Sequence, residues 1–467
     1  MGFGRWSTTI LAASLTVLAL AGVSRGPLVA QQIQQAGGLR TMTLRAVGLE
    51  RFVPVPPQPF AAVKPPAWAA TDTAVAQLQQ RLANNPSDPL AYAAYAQLGN
   101  LYLQKVRETG DPSYYARAEG ALQKSLELAP DNALAVAGMG SLHLARHAFE
   151  AALAWGERAR EAAPHNYLVY GIIGDASLEL GRYDAAIAAF QAMVDRRPDL
   201  ASLARVSYAR ELHGDLSGAI AAMEQAVSAG NQRAEGTNWA RVLLGHLYFL
   251  AGNLDAAEQQ YQLALTLLPD YVHGYGGLAK VAAARGKLKD AIALYTRALE
   301  IVPVPEYAIA LGDVYRAAGN GAMAAKQDAL VRVIAQLNRA AGVDVDLEMA
   351  LFEADHAADT AAAAAAVQTA RAQYERRPSI HAAGVLAWAL YRAGQPAEAL
   401  PFAREALRLG TRDPVLLYHA GAIAAAAGYP AEARAHLEAA LAANPHFHVR
   451  YAPEAQRLLE QLRKVAA

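Results

Sequence analysis

Two successive stretches of equal length indicate the fold most clearly. Residues 133–164 read ALAVAGMGSLHLARHAFEAALAWGERAREAAP, and residues 167–198 read YLVYGIIGDASLELGRYDAAIAAFQAMVDRRP. Written one above the other, they align glycine with glycine, alanine with alanine and proline with proline. The aligned pairs are Gly140 and Gly174, Ala152 and Ala186, and Pro164 and Pro198. Each pair is 34 residues apart, and such a fixed spacing is typical of a structural repeat.

The same columns recur outside these two stretches. Prolines that follow an apolar segment stand at Pro130, Pro164, Pro198, Pro269 and Pro303. A small residue in a first helix stands at Gly140, Gly174, Gly245, Ala279, Gly312 and Gly421, and an alanine in a second helix at Ala152, Ala186, Ala257, Ala291 and Ala433. Small residues let two antiparallel helices approach closely. A glycine between the helices ends the first one, and the proline stops the second. Each unit is therefore predicted to be helix, turn, helix.

These columns and their period resemble the tetratricopeptide repeat family. The resemblance implies an all-α fold, a right-handed superhelical solenoid of helix-turn-helix repeats over residues 73–464. About ten units are expected, at 89–130, 133–164, 167–198, 200–231, 238–269, 272–303, 305–341, 345–378, 380–411 and 414–445. A leading helix is predicted at Thr73–Asn85 and a closing helix at residues 453–464.

Three segments depart from the period. Between Pro86 and Pro130 there are ten residues more than one period, which predicts an insertion near Arg107 to Pro112 or a longer first helix. Residues 304–378 are irregular, because Ala357, Ala358 and the run Ala361–Ala366 stand where turn signals are expected; the solenoid is expected to bend or fray there. Gly230–Gly236 joins two units without the terminal proline and is predicted to be a longer loop.

The first 72 residues have a different character. Residues 1–30 combine Arg5, an apolar stretch from Ile10 to Val23 and a small-residue exit at Ala30, which predicts a secretory signal peptide. The 14-residue apolar stretch is shorter than the roughly 20 residues that span a bilayer, although an uncleaved signal anchor stays open. Residues 31–72 are rich in Gln and Pro and predict an extended linker. The protein is therefore expected to be exported: periplasmic, in the cell envelope or secreted.

Composition excludes several classes of function. The 467 residues contain 42 Lys+Arg and 42 Asp+Glu, so no long-range field attracts nucleic acid or an anionic membrane. Because Cys is 0, there is no disulfide, cysteine nucleophile or thiolate metal site. We expect no nucleic-acid partner, and a membrane contact only through an uncleaved signal anchor or a membrane partner.

The resemblance implies a concave groove lined by the first helices, and it implies no reaction. The side chains placed near that groove are Asp175, Glu179, Tyr208, Glu211, Trp239, His246, Phe249, His273, Lys280, Asp313, Arg316, Trp388, Tyr391 and Arg392, with Tyr418 beside them. Acidic groups concentrate in the first part and the arginines in the last, so a partner segment with both charges fits best. The alternative for any one of them is that it fills the superhelix or solvates a helix face.

No motif for catalysis or metal binding is evident. His143 and His147 are four apart and His446 and His448 two apart, but neither pair has an acidic partner at ligand spacing. There is no Gly-x-Ser-x-Gly and no phosphate-binding loop. No cofactor, metal or catalytic residue is predicted.

Three functions are compatible with these features. The first is a non-enzymatic scaffold that binds a protein or peptide partner in the groove. The second is an accessory subunit of a membrane transport or polysaccharide export complex. The third is a hydrolase whose site is assembled from residues 304–378. The sequence favours the scaffold most, the accessory subunit next and the hydrolase least.

Overall fold

The computed structural model describes residues 69–357 and 359–466. This part of the chain contains 22 α-helices and no strand, so the all-α solenoid prediction is confirmed. The helices are α1 Ala69–Asn84, α2 Ala91–Thr109, α3 Ser113–Leu128, α4 Ala133–Ala145, α5 Phe149–Ala162, α6 Tyr167–Glu179, α7 Tyr183–Arg196, α8 Leu200–Leu212, α9 Leu216–Ala229, α10 Glu235–Leu250 and α11 Leu254–Leu267. They continue as α12 Val272–Ala284, α13 Leu288–Ile301, α14 Pro305–Ala317, α15 Gly321–Ala340, α16 Asp346–His356, α17 Thr360–Arg376, α18 Ile380–Arg392, α19 Pro396–Ala406, α20 Pro414–Ala426, α21 Pro430–Ala443 and α22 Tyr451–Ala466. Ten antiparallel pairs, α2–α3 to α20–α21, lie between α1 and α22.

Each pair is held together at the small residues that recur in the sequence. A Cβ atom on Gly174 would overlap the ring of Phe190, and one on Gly245 would lie 2.5 Å from the ring of Tyr261. Ala257, in the other column, is completely buried. A side chain larger than hydrogen or methyl at these places would force the two helices apart.

Glycines with positive φ end most first helices. Seven of these turns carry a glycine with φ between 73° and 87°, at Gly181, Gly214, Gly252, Gly286, Gly319, Gly394 and Gly428. In the α4–α5 turn the corresponding residue is His147, with φ 59°. Its Nδ1–H donates to the carbonyl oxygen of Asp344 at 2.8 Å, and this bond compensates for the left-handed backbone.

The irregular segments are accommodated by helix length. Some of the ten extra residues before Pro130 lengthen the first helix α2, which has 19 residues where most first helices have 13. In residues 304–378, α15 extends to 20 residues and α17 to 17. The alanines from Ala361 to Ala366 lie inside α17 and replace no turn, because alanine has the highest helix propensity. The turn falls just before, where Asp359 caps the helix by accepting from the N–H of Ala362.

Two helices begin earlier than predicted. The leading helix starts at Ala69, so the last residues assigned to the linker are helical. The first helix of the fifth unit starts at Glu235, which shortens the predicted loop to residues 230–234. Neither start carries a proline. The predicted signal peptide and the rest of the predicted linker lie outside the described residues. Within residues 69–357 and 359–466, no helix combines the length and apolar character needed to span a membrane.

Successive turns of the superhelix touch one another. The turn at Gly110 contacts Val302, the N–H of Asp344 donates to the carbonyl oxygen of Arg146 at 2.9 Å, and a Cβ atom on Gly181 would lie 2.5 Å from the carbonyl oxygen of Pro378. The turn at Gly214 packs on the backbone of Gly410, and the Asn444 side chain donates to the carbonyl oxygen of Phe249 at 2.7 Å. In all five cases the second loop lies eleven helices after the first. One superhelical turn therefore takes eleven helices, or five and a half units.

We call this line of loop contacts the seam. Where the seam brings the two turns together, two first helices also meet, because Tyr208 of α8 is hydrogen-bonded to His381 of α18. Residues Ile380 to Leu390 of α18 are all buried, and 14 of the 16 residues of α10 are. The interior of the superhelix is thus filled by side chains over these helices.

Candidate functional site

The predicted groove residues lie mostly in the interior of the superhelix. Eight are buried: Asp175, Glu179, Tyr208, Trp239, His246, Phe249, Asp313 and Trp388. Five are partly buried, namely Glu211, His273, Lys280, Arg316 and Tyr391, and Arg392 is exposed. Tyr418 is buried as well. Their role in binding stays a prediction, and their burial supports the alternative that many of them fill the superhelix.

The acidic residues of the first part are paired within the chain. Arg205 of α8 is 1% exposed and donates from Nε and Nη2 to the two carboxylate oxygens of Asp175, at 2.9 and 2.7 Å. Glu179 lies 4.0 Å from Arg377, which approaches across the seam. Burial raises the pKa of Glu179 to about 7, against the opposing effect of that arginine. Neither arginine was identified from the sequence. The complementary charges on neighbouring first helices were the available signal for Arg205, whereas Arg377 comes from a distant loop.

The central aromatic stripe packs against neighbouring helices. The rings of Trp239 and His273 meet edge to face at 4.7 Å. His246 is hydrogen-bonded through Nδ1 to the hydroxyl of Tyr261 on the second helix of its own unit, at 2.7 Å. The Lys280 ammonium stands 4.4 Å from the centre of the Phe249 ring. Trp239, His246 and Phe249 are therefore each tied to the packing of units five and six.

His273 connects this stripe to the next unit. Its Nδ1 is 2.8 Å from the hydroxyl of Tyr307. Burial lowers the pKa of His273 to about 3, so the ring is neutral at physiological pH. A neutral ring in an aromatic surrounding is suited to packing and hydrogen bonding.

Asp313 forms the centre of a buried cluster near the C-terminal end. The Nη1 of Arg450 donates to its Oδ1 at 2.8 Å, and Nε2 of His448 lies 3.4 Å from its Oδ2. His356 stands 3.7 Å away. Although burial opposes its ionisation, these neighbours hold the pKa of the Asp313 carboxyl well below its usual range. The cluster fastens the loop before α22 to α14.

The remaining residues of the last part are near this cluster. Trp388 stacks on His419, with ring centres 3.8 Å apart, and its Nε1 donates to Asp355 at 2.8 Å. Tyr391 and Arg392 flank the same indole ring. Arg316 pairs with Asp328 on the second helix of its own unit. The structure thus brings Trp388, Tyr391 and Arg392 together and leaves Arg316 apart from them.

A small cavity of about 40 Å³ lies between the two superhelical turns. Most of its walls are apolar, and six polar side chains, among them Thr411, also line it. The lining includes Leu212, Leu351, Val385, Val415, Leu416, Tyr208, Glu211, His381, Asp413 and His419. The hydroxyl of Tyr208 is hydrogen-bonded to Nε2 of His381 at 3.2 Å, and Nε2 of the buried His419 has no hydrogen-bond partner. Of the predicted groove residues, Tyr208 and Glu211 line this cavity.

The histidine pairs take separate structural places. His143 is partly buried on α4, and burial lowers its pKa; His147 forms the turn already described. His446 is exposed, while His448 joins the Asp313 cluster. Across the described residues, no group of three or more His, Asp or Glu side chains is arranged to hold a metal ion.

Comparison with known proteins identifies the repeats. A family model described as a tetratricopeptide repeat matches residues 113–167, 173–234 and 213–272, so this part of the chain consists of tetratricopeptide repeats. None of the curated proteins that were compared matches the chain.

Solved structures with similar repeats share little sequence. A tetratricopeptide repeat protein from Parabacteroides merdae ATCC 43184 is 13% identical, covers 65% of this chain and 99% of its own, and has a TM-score of 0.40. The Cut9–Hcn1 hetero-tetramer of the APC/C is 14% identical over 84% of this chain and 93% of that one, at 0.33. YrrB, a repeat protein with an unusual peptide-binding site, is 18% identical over 40% and 95%, at 0.28. No functional conclusion follows from likenesses at this level.

Proposed function

We propose that the protein is a non-enzymatic scaffold that binds a protein or peptide segment on the inner side of its solenoid. The tetratricopeptide repeats support this function, because such repeats form extended binding surfaces from stacked helix pairs. The observation that carries the proposal is the cavity at Tyr208 and Glu211, where apolar walls and polar groups meet between two turns of the superhelix. Apolar walls with a few polar groups have the composition of a binding pocket, and we expect this small cavity to take the tip of one anchoring side chain.

The charge of the lining defines the preferred partner. Glu211 and Asp413 contribute carboxylates, while Leu212, Leu351 and Leu416 contribute apolar surface. Asp413 already accepts from the N–H groups of Val415 and Leu416, where it caps α20. We therefore expect a partner segment with an apolar anchor and a neighbouring basic side chain, whose charge complements the two carboxylates of the lining.

Affinity capture with the full chain as bait tests this proposal. Glu211→Lys reverses the charge at the cavity and should reduce the captured partner at least tenfold. Glu398→Lys, an exposed charge reversal on the outer helix α19, is the matched control and should capture as the parent does. Equal capture by both variants and the parent would place binding elsewhere. Capture of a transport or polysaccharide-export component would assign the protein to such a complex instead.

The aromatic stripe can be tested with the same bait. In Trp239→Ala with His246→Ala, two buried side chains are truncated, so the thermal midpoint should fall by several degrees. If capture falls only in proportion to the folded fraction, the stripe is structural. If the midpoint is retained and capture is lost, the stripe contacts the partner.

We also propose that the protein is exported and that the mature chain begins near Gln31. The apolar stretch from Ile10 to Val23 and the exit at Ala30 support this proposal. N-terminal sequencing of the protein from its native host is the test. A membrane-bound form that retains Met1 or Gly2 would replace cleavage by a signal anchor.

A further inference from the structure

Buried polar atoms without hydrogen-bond partners concentrate at the start of α10. They are Oγ1 of Thr237, Oδ1 of Asn238, Nε1 of Trp239, and Nε and Nη1 of Arg241. Thr237 and Asn238 are completely buried, and Arg241 is 5% exposed. Because residues three and four apart share one side of a helix, Thr237 and Asn238 lie on the same side as Arg241. Such atoms are rare in folded proteins, and each needs a physical explanation.

Arg241 is a buried cation without a carboxylate. Its one hydrogen bond to a side chain goes from Nη2 to the amide oxygen of Gln232, a residue of the α9–α10 loop. Among the described residues, no Asp or Glu forms an ion pair with it. Burial also lowers the pKa of Arg241 from its ordinary value. Arg205, which is equally buried, has both oxygens of Asp175 as acceptors. A buried charge that is left unpaired in this way is costly, and an anion would relieve the cost.

The position of Arg241 within its unit is unusual. In the next unit, 34 residues later, the same place holds Tyr275. The loop before α10 is the one that lacks the terminal proline of the repeat. The guanidinium therefore stands where the repeat usually packs an uncharged side chain, next to a loop with an irregular sequence.

The field at this end of α10 is positive. The helix has 16 residues, and no side chain caps its first N–H groups. The positive end of a helix dipole favours anions. Arg233 adds an exposed positive charge in the loop. The acidic residue of the first turn, Glu235, is occupied by Arg107 at 3.6 Å and by the hydroxyl of Tyr271 at 3.0 Å.

We propose that the α9–α10 loop and the first two turns of α10 form an oxyanion-binding site. The exposed Gln232 acts as a neutral cover, and the bound anion displaces its amide from Arg241. The anion then accepts from the guanidinium of Arg241 and from the hydroxyl of Thr237. Asn238 Oδ1 needs a donor, which a protonated phosphate oxygen carries and a carboxylate lacks. A phosphate group is thus preferred to a carboxylate. This site does not depend on partner binding in the cavity.

Titration calorimetry of the full chain with inorganic phosphate is the first test. The parent should bind phosphate more tightly than acetate, and Arg241→Gln should weaken phosphate at least tenfold. Arg332→Gln removes an exposed arginine that is paired with Glu353, and as the matched control it should leave the affinity unchanged. No phosphate binding by the parent at millimolar concentration, or equal binding by Arg241→Gln, would overturn the proposal. A phosphoserine peptide that binds more tightly than inorganic phosphate would identify a phosphorylated partner as the source, and equal or weaker binding would identify free phosphate.

A second variant tests the cover. Gln232→Glu places a carboxylate within reach of Arg241, so it should raise the thermal midpoint in phosphate-free buffer by about 1 to 3 °C. It should also abolish the rise in midpoint that phosphate produces in the parent. Gln77→Glu, the same change at an exposed position of α1, should do neither. A Gln232→Glu protein that still responds to phosphate as the parent does would contradict the assignment.

Discussion

Asp175 and Arg205 illustrate how two charged residues become part of the interior. The sequence predicts Asp175 near the groove on a first helix, and in the structure its side chain is buried. Arg205 follows on the neighbouring first helix and forms two hydrogen bonds with its carboxylate. Burial raises the pKa of Asp175, and the guanidinium opposes that rise. Both oxygens of the Asp175 carboxylate are engaged by Arg205. We therefore do not expect this carboxylate to bind a partner.

Removal of one member of this pair should be costly. Asp175→Ala leaves the Arg205 guanidinium buried without an acceptor, and we expect a loss of about 3 to 5 kcal/mol in the free energy of unfolding. Asp255→Ala breaks an ion pair between Arg285 and an aspartate that is 95% exposed, so it should cost at most about 1 kcal/mol. Urea unfolding followed by circular dichroism measures both. Similar losses in the two variants would mean that the Asp175 pair is not buried in solution.

The buried histidines make stability depend on pH. Burial lowers the pKa of His419 well below its usual range. Below about pH 6.5 the His419 side chain is therefore protonated in the unfolded chain and stays neutral in the folded protein. The contribution of His419 is therefore present above pH 6.5 and is lost as the pH falls, at about 1.4 kcal/mol per pH unit. Glu179 and Glu306 act in the opposite sense, because burial raises the pKa of each to about 7.

A difference between two proteins isolates this effect. His419→Phe keeps a ring against Trp388 and removes the titrating group, while both glutamates stay in place. Between pH 7 and pH 5 the variant should lose about 2 kcal/mol less stability than the parent. His446→Phe, at an exposed position, should follow the parent. Equal losses in His419→Phe and the parent would show that the His419 ring is accessible to water.

At the scale of the helix pair, the glycines of the turns meet two different requirements, one of backbone conformation and one of packing. All of the glycines in these turns need a left-handed backbone, which costs an L-residue roughly 1 to 2 kcal/mol. Gly181, Gly214 and Gly252 also lie against a loop of the next superhelical turn, whereas a Cβ atom on Gly286, Gly319, Gly394 or Gly428 would meet no atom within 4 Å. The first group is therefore restricted by packing as well as by backbone conformation.

Two alanine variants separate the requirement of backbone conformation from that of packing. Gly214 has φ 78° and Gly394 has φ 79°, so Ala at either position has the same backbone strain. Gly394→Ala should lower the free energy of unfolding by about 1 kcal/mol. Gly214→Ala should lower it further, because the new methyl group overlaps the carbonyl oxygen of Gly410. Chemical denaturation measures the two values, and equal losses would argue against contact between the two turns in solution.

At the scale of the molecule, the seam changes how stability is shared. In an open solenoid each unit contacts only its neighbours, so the removal of terminal units affects the adjacent unit. Here residues in the last loop also contact residues far earlier in the chain: Asn444 reaches Phe249, at the turn eleven helices earlier, and Arg450 reaches Asp313 within α14. The ends of the chain therefore support its middle.

Deletion of residues 414–467 tests this coupling. It removes α20 to α22 together with the donors to Phe249 and Asp313. Amide hydrogen exchange should accelerate in the α10–α11 turn, far along the chain from the deletion. The α12–α13 turn at Gly286, which has no such neighbour, is an internal reference and should exchange as in the parent. Acceleration confined to α18 and α19 would show that the units act as an open solenoid.

The sequence by itself determined the helix pairs. The 34-residue spacing, the small residues at Gly174 and Ala257 and the glycines of the turns are local requirements, because each acts on a helix or on its immediate neighbour. How those pairs wind into a superhelix is evident only from the three-dimensional structure. The small rotation between successive pairs accumulates over eleven helices and brings the turn at Gly214 into contact with Gly410. No sequence motif predicts this contact. That closure brings Arg377 to Glu179 and leaves the cavity at Tyr208 between two turns, because both depend on contacts between residues far apart in the chain.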